Sequence, residues 1–389
     1  MNLQVNEIKE HLTKDIIPFW KNLRDDEFGG YYGFMDFNGV LDKKAEKGCI
    51  LNNRITWFFS NAYTLLKDES LLDEARHGFE FIKNYCWDKE NGGIFWSMNY
   101  DGTPLDTTKH TYNQAFCVYA LASYYEASKD KEALDMAVEL FKVIEEKCTC
   151  DNGYKEAGSI AFEEVLNDKL SENGVIADKT MNTLLHVFEA YTELYRVAGL
   201  PEVKQRLEWI LDTFADKVFD PELGRQKVFF DYDYNSIIDL YSYGHDIETA
   251  WLIDRGVEVL GETKYEEKMT PITKTLTEQI YKHAFNGESL ANECERGVVN
   301  TKRIWWVQAE TVIGFLNGYQ KDNSKTKYLE AAINEWEYIK KYVINKDLGE
   351  WYSELDENGK PDESEAIVQP WKCPYHNGRM CLEVIKRLS

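Results

Sequence analysis

Three histidine-bearing phrases carry the sequence's clearest chemical signal: ADKTMNTLLH ending at His186, SYGHDIETAWL around His245 and WKCPYHNGRM around His376. Histidine gains or loses a proton most readily near neutral pH, so three in one pocket would suit proton-transfer chemistry. The chain has only 7 histidines, and these three share a setting near an expected helix start, among aromatic residues, after a polar loop. Arg54 follows Asn52 and Asn53 at the head of an otherwise apolar helix. A guanidinium there either pairs with a carboxylate or directs its fixed charge at an oxygen-rich ligand, where it can stabilise a developing oxyanion. Trp305, Trp306 and Trp371 add flat faces of the kind that pack against the C–H face of a sugar. Of the adjacent pair, one is expected in the core and the other in the pocket.

Position separates these histidines from His11, His77, His110 and His283, which read as structural. His245 and His376 fall in the first turn of their helices, where the helix dipole lowers the pKa and keeps the imidazole neutral, able to accept a proton. Glu248, three residues after His245, shares its helical face. It serves there either to orient the imidazole or as an exposed carboxylate near the helix start.

Helical periodicity predicts twelve helices, near 5–23, 51–67, 69–86, 109–128, 130–147, 179–198, 201–218, 244–261, 264–283, 303–321, 325–344 and 374–388. The even-numbered helices are apolar around more of their circumference, as in KHTYNQAFCVYALASYY, and are expected to be buried. Connections after even helices are short turns such as LKDES and VAGLPE, whereas those after odd helices run to roughly 20–30 residues. Three long loops repeat a pattern of aromatics flanked by Gly and Asn, at 28–39, 91–102 and 349–359, which reads as small β-hairpins.

Six helical hairpins in this rhythm predict an all-α (α/α)6 barrel, even helices inside and odd helices outside. An open solenoid of the same hairpins is the alternative. No compositional break divides the chain, so residues 1–389 are expected to form a single catalytic domain. All the long loops then lie on the face where even helices begin. Arg54, Tyr112, His186, His245, Trp305, Trp306 and His376 share that face.

A formal charge of -23 would repel a polyanion, which excludes nucleic acid and disfavours an anionic membrane surface. No apolar run approaches a membrane span, and the first residues lack a signal-peptide core. The 8 scattered cysteines suit free thiols in a reducing cytoplasm. Cys373 lies three residues before His376, but no second pair completes a zinc set, so no metal is expected.

The segments LNNRITWFFSNAY, KHTYNQAF, ADKTMNTLLHVFEAYTELY, YSYGHDIETAWL, RIWWVQAE and WKCPYHNGRMC, with IIPFWKNLRDDEFGGYYG before them, span nearly the whole chain. In that order they resemble the N-acylglucosamine 2-epimerase superfamily, and within it the cellobiose 2-epimerase branch. The resemblance implies the same barrel and epimerisation at C2 of the reducing-end glucose of a β-1,4-linked disaccharide, without metal or redox cofactor. Cellobiose would become glucosyl-mannose and lactose epilactose.

Carried over by position, the family's acid/base histidines fall on His245 and His376, its third pocket histidine on His186 and its arginine on Arg54. Its supporting residues fall on Tyr112, Asn182, Glu248 and Trp305–Trp306, and a tryptophan that stacks on the second sugar falls on Trp371. One departure is Val307, where the resemblance leads one to expect the proline of several relatives. In this chemistry ring opening exposes an aldehyde, and two bases on opposite faces of a planar enediolate move the C2 proton. Arg54, with His186, would stabilise the enediolate oxygen.

Three alternatives remain at this level. One is a monosaccharide enzyme of the same superfamily, an N-acylglucosamine 2-epimerase or a mannose–glucose isomerase. A second is a glycoside hydrolase or lyase with Glu248 and Glu310 as its carboxylates, and the third a non-catalytic sugar-binding module. A monomer or weak homodimer is expected.

Overall fold

A computed structural model describes residues 3–171 and 173–389. Among them are twelve barrel helices. The outer helices are α1 (5–21), α3 (69–86), α5 (Lys131–Lys147), α7 (201–218), α9 (Thr263–His283) and α11 (326–343). The inner helices are α2 (Cys49–Leu66), α4 (Thr111–Ser128), α6 (Met181–Ala198), α8 (Tyr243–Leu260), α10 (Trp305–Lys321) and α12 (Tyr375–Leu388). Each inner helix packs on the next, and α12 returns to α2, so the ring closes as an (α/α)6 barrel. Five hairpins are sequential. The sixth pair joins the two ends of the ring, with α1 packed on α12.

Burial follows the apolar pattern. Every residue of α2 from Cys49 to Ser60 is buried, whereas in α5 the buried set is the stripe Ala133, Ala137, Leu140, Phe141 and Ile144. Two features differ from the sequence expectation. Helices expected from 109, 179 and 303 begin two residues later, because Lys109–His110, Lys179–Thr180 and Arg303–Ile304 are short strands paired with neighbouring loops. Four outer helices also contain a π-turn, at Leu12–Ile16, Ile82–Cys86, Phe214–Val218 and Ile339–Val343, each widening the helix by one residue per turn.

The long loops are tied to the inner helices by a repeated device. The fourth residue of α2 is Asn52, whose Oδ1 accepts the Tyr31 N–H at 2.9 Å. The fourth residue of α4 is Gln114, which accepts from the Ile94 N–H and donates to the Ile94 carbonyl, both at 2.8 Å. Gln308 of α10 binds Leu290 in the same two ways, at 3.1 and 3.0 Å. The double glycines in the loops make room for this. Gly30 and Gly93 hold left-handed φ of +66° and +70°, and a Cβ on either would lie 2.7 Å from the oxygen of Asn52 or Gln114. Buried Lys47 and Lys109 brace the same loops, donating to Asp25 at 2.5 Å and Asp88 at 2.8 Å.

One buried group works against the fold. Glu335 of α11 is fully buried, and neither carboxyl oxygen meets a side-chain or backbone partner among the described residues. Burial raises its pKa well above the ordinary carboxylate value, with Arg303 opposing. Stability from a raised pKa is fully present below the unfolded value near 4.5 and is lost as pH rises through the folded value. Glu335→Gln is therefore expected to be more stable than wild type at pH 8, by on the order of 1 kcal/mol, with the two converging at pH 5. Urea unfolding at both pH values checks this, and a variant less stable than wild type at pH 8 would refute it.

Candidate active site

The inner helices place their second and sixth residues one turn apart on the face that looks down the barrel axis. The second positions include Tyr112, Asn182, Trp306 and His376, and the sixth include Arg54, His186, Glu248 and Glu310. Together with the loops they enclose a cavity of about 320 Å³. Arg54, Tyr112, Asn182, His186, His245, Glu248, Trp305, Trp306, Trp371 and His376 all line it. Both adjacent tryptophans therefore reach the cavity, and neither is purely core.

Each cavity histidine is held through Nδ1. His376 Nδ1 lies 2.7 Å from Glu310 Oε1, and His186 Nδ1 lies 2.8 Å from Glu189 Oε2. A carboxylate accepts from Nδ1–H, and a neutral ring held in this way leaves Nε2 bare. His245 Nδ1 lies 2.7 Å from the Ser242 hydroxyl. The rings of His245 and His376 pack on the same Trp306 side chain, with centroids at 4.8 and 5.5 Å. Gly244 allows that contact, since a Cβ there would meet Trp306 at 2.6 Å and Val307 at 2.7 Å.

Both imidazoles are kept neutral, but chiefly by burial rather than by the helix dipole. Burial, with a contribution from His186, pushes His245 down to about 3. Burial, then Arg379 and Arg54, push His376 well below the usual histidine value.

Beneath the histidines lies a layer of buried charge centred on Arg379, which is 1% exposed. Its guanidinium donates to Glu189 Oε1 at 2.5 Å, to Glu310 Oε1 at 2.7 Å, and to Glu248 and Tyr375. Tyr375 also donates to Glu189 at 2.6 Å, and Trp251 Nε1 donates to Glu310 at 2.9 Å. Burial opposes ionisation of Glu189, but Arg379, His186 and Tyr375 outweigh it and hold its pKa at about 2. Burial and the neighbouring Glu310 raise Glu248 to about 7. Glu248, Glu310 and His376 offer ligand atoms within 4.8 Å of one another, a spacing a cation would accept. Arg379 hydrogen-bonds both carboxylates and already supplies positive charge there.

Arg54 is 2% exposed and has no carboxylate partner among the described residues. It donates to the Tyr112 hydroxyl at 2.8 Å and the Trp371 carbonyl at 3.2 Å, and its carbon lies 4.3 Å from the Phe116 ring centroid. A buried charge so weakly compensated is suited to an oxygen-rich ligand. Asn182 Oδ1 is likewise without a protein partner. Trp371 is half-buried, with Trp96 and Tyr112 against it at 5.6 and 5.8 Å.

The family model described as N-acylglucosamine 2-epimerase (GlcNAc 2-epimerase) matches residues 29–377. The chain belongs to the N-acylglucosamine 2-epimerase family. It is 49% identical to a cellobiose 2-epimerase of Ruminococcus albus, over 99% of both chains. It is 45% identical to a cellobiose 2-epimerase of Dictyoglomus turgidum, over 100% of both. The solved cellobiose 2-epimerase of Bacillus thermoamylovorans B4167 superposes with a TM-score of 0.96 at 45% identity, covering 100% of each chain.

In this N-acylglucosamine 2-epimerase family chain, both expectations for Glu248 are corrected, for it is buried rather than exposed. Glu248 does not orient His245, because it faces Arg379, and Ser242 holds the imidazole instead. Sequence reasoning missed Arg379, Glu189 and Tyr375, and gave Glu310 only to a hydrolase reading. The available signal was spacing. Glu310 sits one turn after Trp306, and Arg379 one turn after Tyr375, on helices already expected at the site.

Proposed function

We propose that this protein epimerises carbon 2 of the reducing-end glucose of β-1,4-linked disaccharides, converting cellobiose to glucosyl-mannose and lactose to epilactose. The observation that carries the reading is the pair His245 and His376, both packed at a tilt against one Trp306, with both Nδ1 atoms engaged and Nε2 left for the cavity. Relatives of this name match end to end at 45–49% identity and support it.

After ring opening, Nε2 of one histidine takes the C2 proton, and the electron pair shifts through C1 onto its oxygen. Arg54 stabilises that enediolate oxygen, with His186 beside it. The other histidine, which has first taken a proton from water at its Nε2, gives that proton to the opposite face, the carbonyl re-forms and the ring closes, leaving the first histidine as the charged one. The sequence is redox-neutral, so no redox cofactor enters it. Glu310 offsets the charge that His376 carries in one half of the cycle, and Glu189 holds the His186 ring in place. The two carboxylates that kept a hydrolase in view, Glu248 and Glu310, are bound to Arg379. No helix among the described residues is long and apolar enough to cross a membrane. The 8 free cysteines support a cytoplasmic location.

Incubation with cellobiose and lactose in deuterated water tests the activity. Glucosyl-mannose and epilactose labelled at C2 are the expected products, whereas release of free glucose would overturn the reading. Trp371 is assigned to the second sugar. Trp371→Ala is expected to raise KM for cellobiose about 10-fold, near 1.4 kcal/mol, and to leave monosaccharide turnover unchanged. Equal losses on cellobiose and mannose would remove Trp371 from that role.

A further inference from the structure

Ser242 is the N-cap residue of α8, with the extended backbone (φ -83°, ψ 101°) that this position uses. Serine is favoured there because its hydroxyl accepts an amide left unpaired by the first turn, a bond worth about 1 kcal/mol. Asp68, His110, Asp130 and Thr180 make that bond at the starts of α3, α4, α5 and α6. Ser242 does not make it. Its hydroxyl turns instead to His245 Nδ1, 2.7 Å away, inside the cavity that both residues line. The backbone beneath it is fixed, since Leu240–Ser242 pairs antiparallel with Glu293–Glu295.

We propose that Ser242 is a positioning residue that sets the tautomer of His245. A serine hydroxyl can donate as well as accept, and the proposed arrangement has the Ser242 oxygen accepting from Nδ1–H, so that the neutral ring leaves Nε2 bare, the form a base at carbon 2 requires. A solvated histidine has no such constraint, and the proton favours Nε2. His376 and His186 receive the same tautomer from Glu310 and Glu189. Ser242 fixes the third without adding a further buried charge to a site that already holds Glu189, Glu248 and Glu310. A cap bond has been given up for orientation of one side chain. The catalytic part of the proposal rests on His245 acting at the sugar's carbon 2.

Ser242→Ala is expected to lower kcat by about 10- to 100-fold, the scale seen when outer partners of ligating histidines are removed. KM should change less than twofold, and Ser242→Thr, which keeps the hydroxyl, should recover most of the loss. The melting temperature should stay within a degree of wild type, because there is no cap bond to lose. A purely structural role predicts the reverse, a lower melting temperature with kcat intact, and that result would overturn the proposal. Nitrogen-15 NMR of the histidine rings in the sugar-free wild-type protein gives a second measurement independent of turnover. His245 is expected as the Nδ1–H tautomer, and the Nε2–H tautomer would overturn the proposal. If wild type fails to label cellobiose at C2, the activity reading fails, while the tautomer still decides whether Ser242 holds the ring as described.

Discussion

His376→Ala and His245→Ala are each expected to abolish inversion at carbon 2, with losses of about 10²- to 10⁴-fold or more, the range of a general acid–base group. The two variants should differ in a second readout. A two-base site moves protons on opposite faces, so a variant that keeps the base facing a given epimer still exchanges that C2 proton for deuterium. It then returns the label to the same face. Exchange without inversion in one variant, and neither in the other, is the expected pattern for cellobiose. Inversion within tenfold of wild type in either variant would end the two-histidine assignment. Glu310 is fully buried behind His376, so circular dichroism should accompany the kinetics of that variant.

Arg379→Met is expected to be the most destabilising change in the protein. The guanidinium is the shared partner of Glu189, Glu248 and Glu310, all buried. Removing one member of a buried charge cluster typically costs about 3–5 kcal/mol. The sign of the pH dependence follows from the shifted groups. Glu189, held at about 2, contributes stability that is present above the unfolded carboxylate value and lost as pH falls through about 2. Glu248, raised to about 7, has the opposite sense, its stability being present below the unfolded value and lost as pH rises through about 7. Without Arg379 all three carboxylates favour the protonated form. The deficit of the variant should therefore be largest at pH 8 and narrow towards pH 5. Urea unfolding at the two pH values measures it, and stability equal to wild type at pH 8 would refute the keystone role. Activity should fall with it, because His376 and His186 are oriented by two of the same carboxylates.

Much of the barrel was legible because its signals are long-range and periodic. Twelve apolar stripes and the alternation of short and long connections need no knowledge of individual contacts. The ten residues expected at the site all line the cavity, since they stand near the starts of inner helices, where topology alone sends them. What could not be read was partnership. Glu248 is spaced to meet His245 on its own helix, yet it meets Arg379 of α12, 131 residues away. Ser242 looks like an ordinary cap, and only coordinates show where its hydroxyl turns. The four π-turns escaped for a similar reason, because the extra residue does not break the apolar stripe.

The ring closes through its carboxy-terminal helix. Five hairpins can each form from neighbouring sequence, but α12 must find α2 on one side and α10 on the other before the circle exists. That last helix brings both His376 and Arg379. Until it docks, Glu189, Glu248 and Glu310 face one another without their common cation, and His245 has no counterpart. Catalytic competence and completion of the fold are thus one event. A partly assembled ring should be silent rather than merely slow.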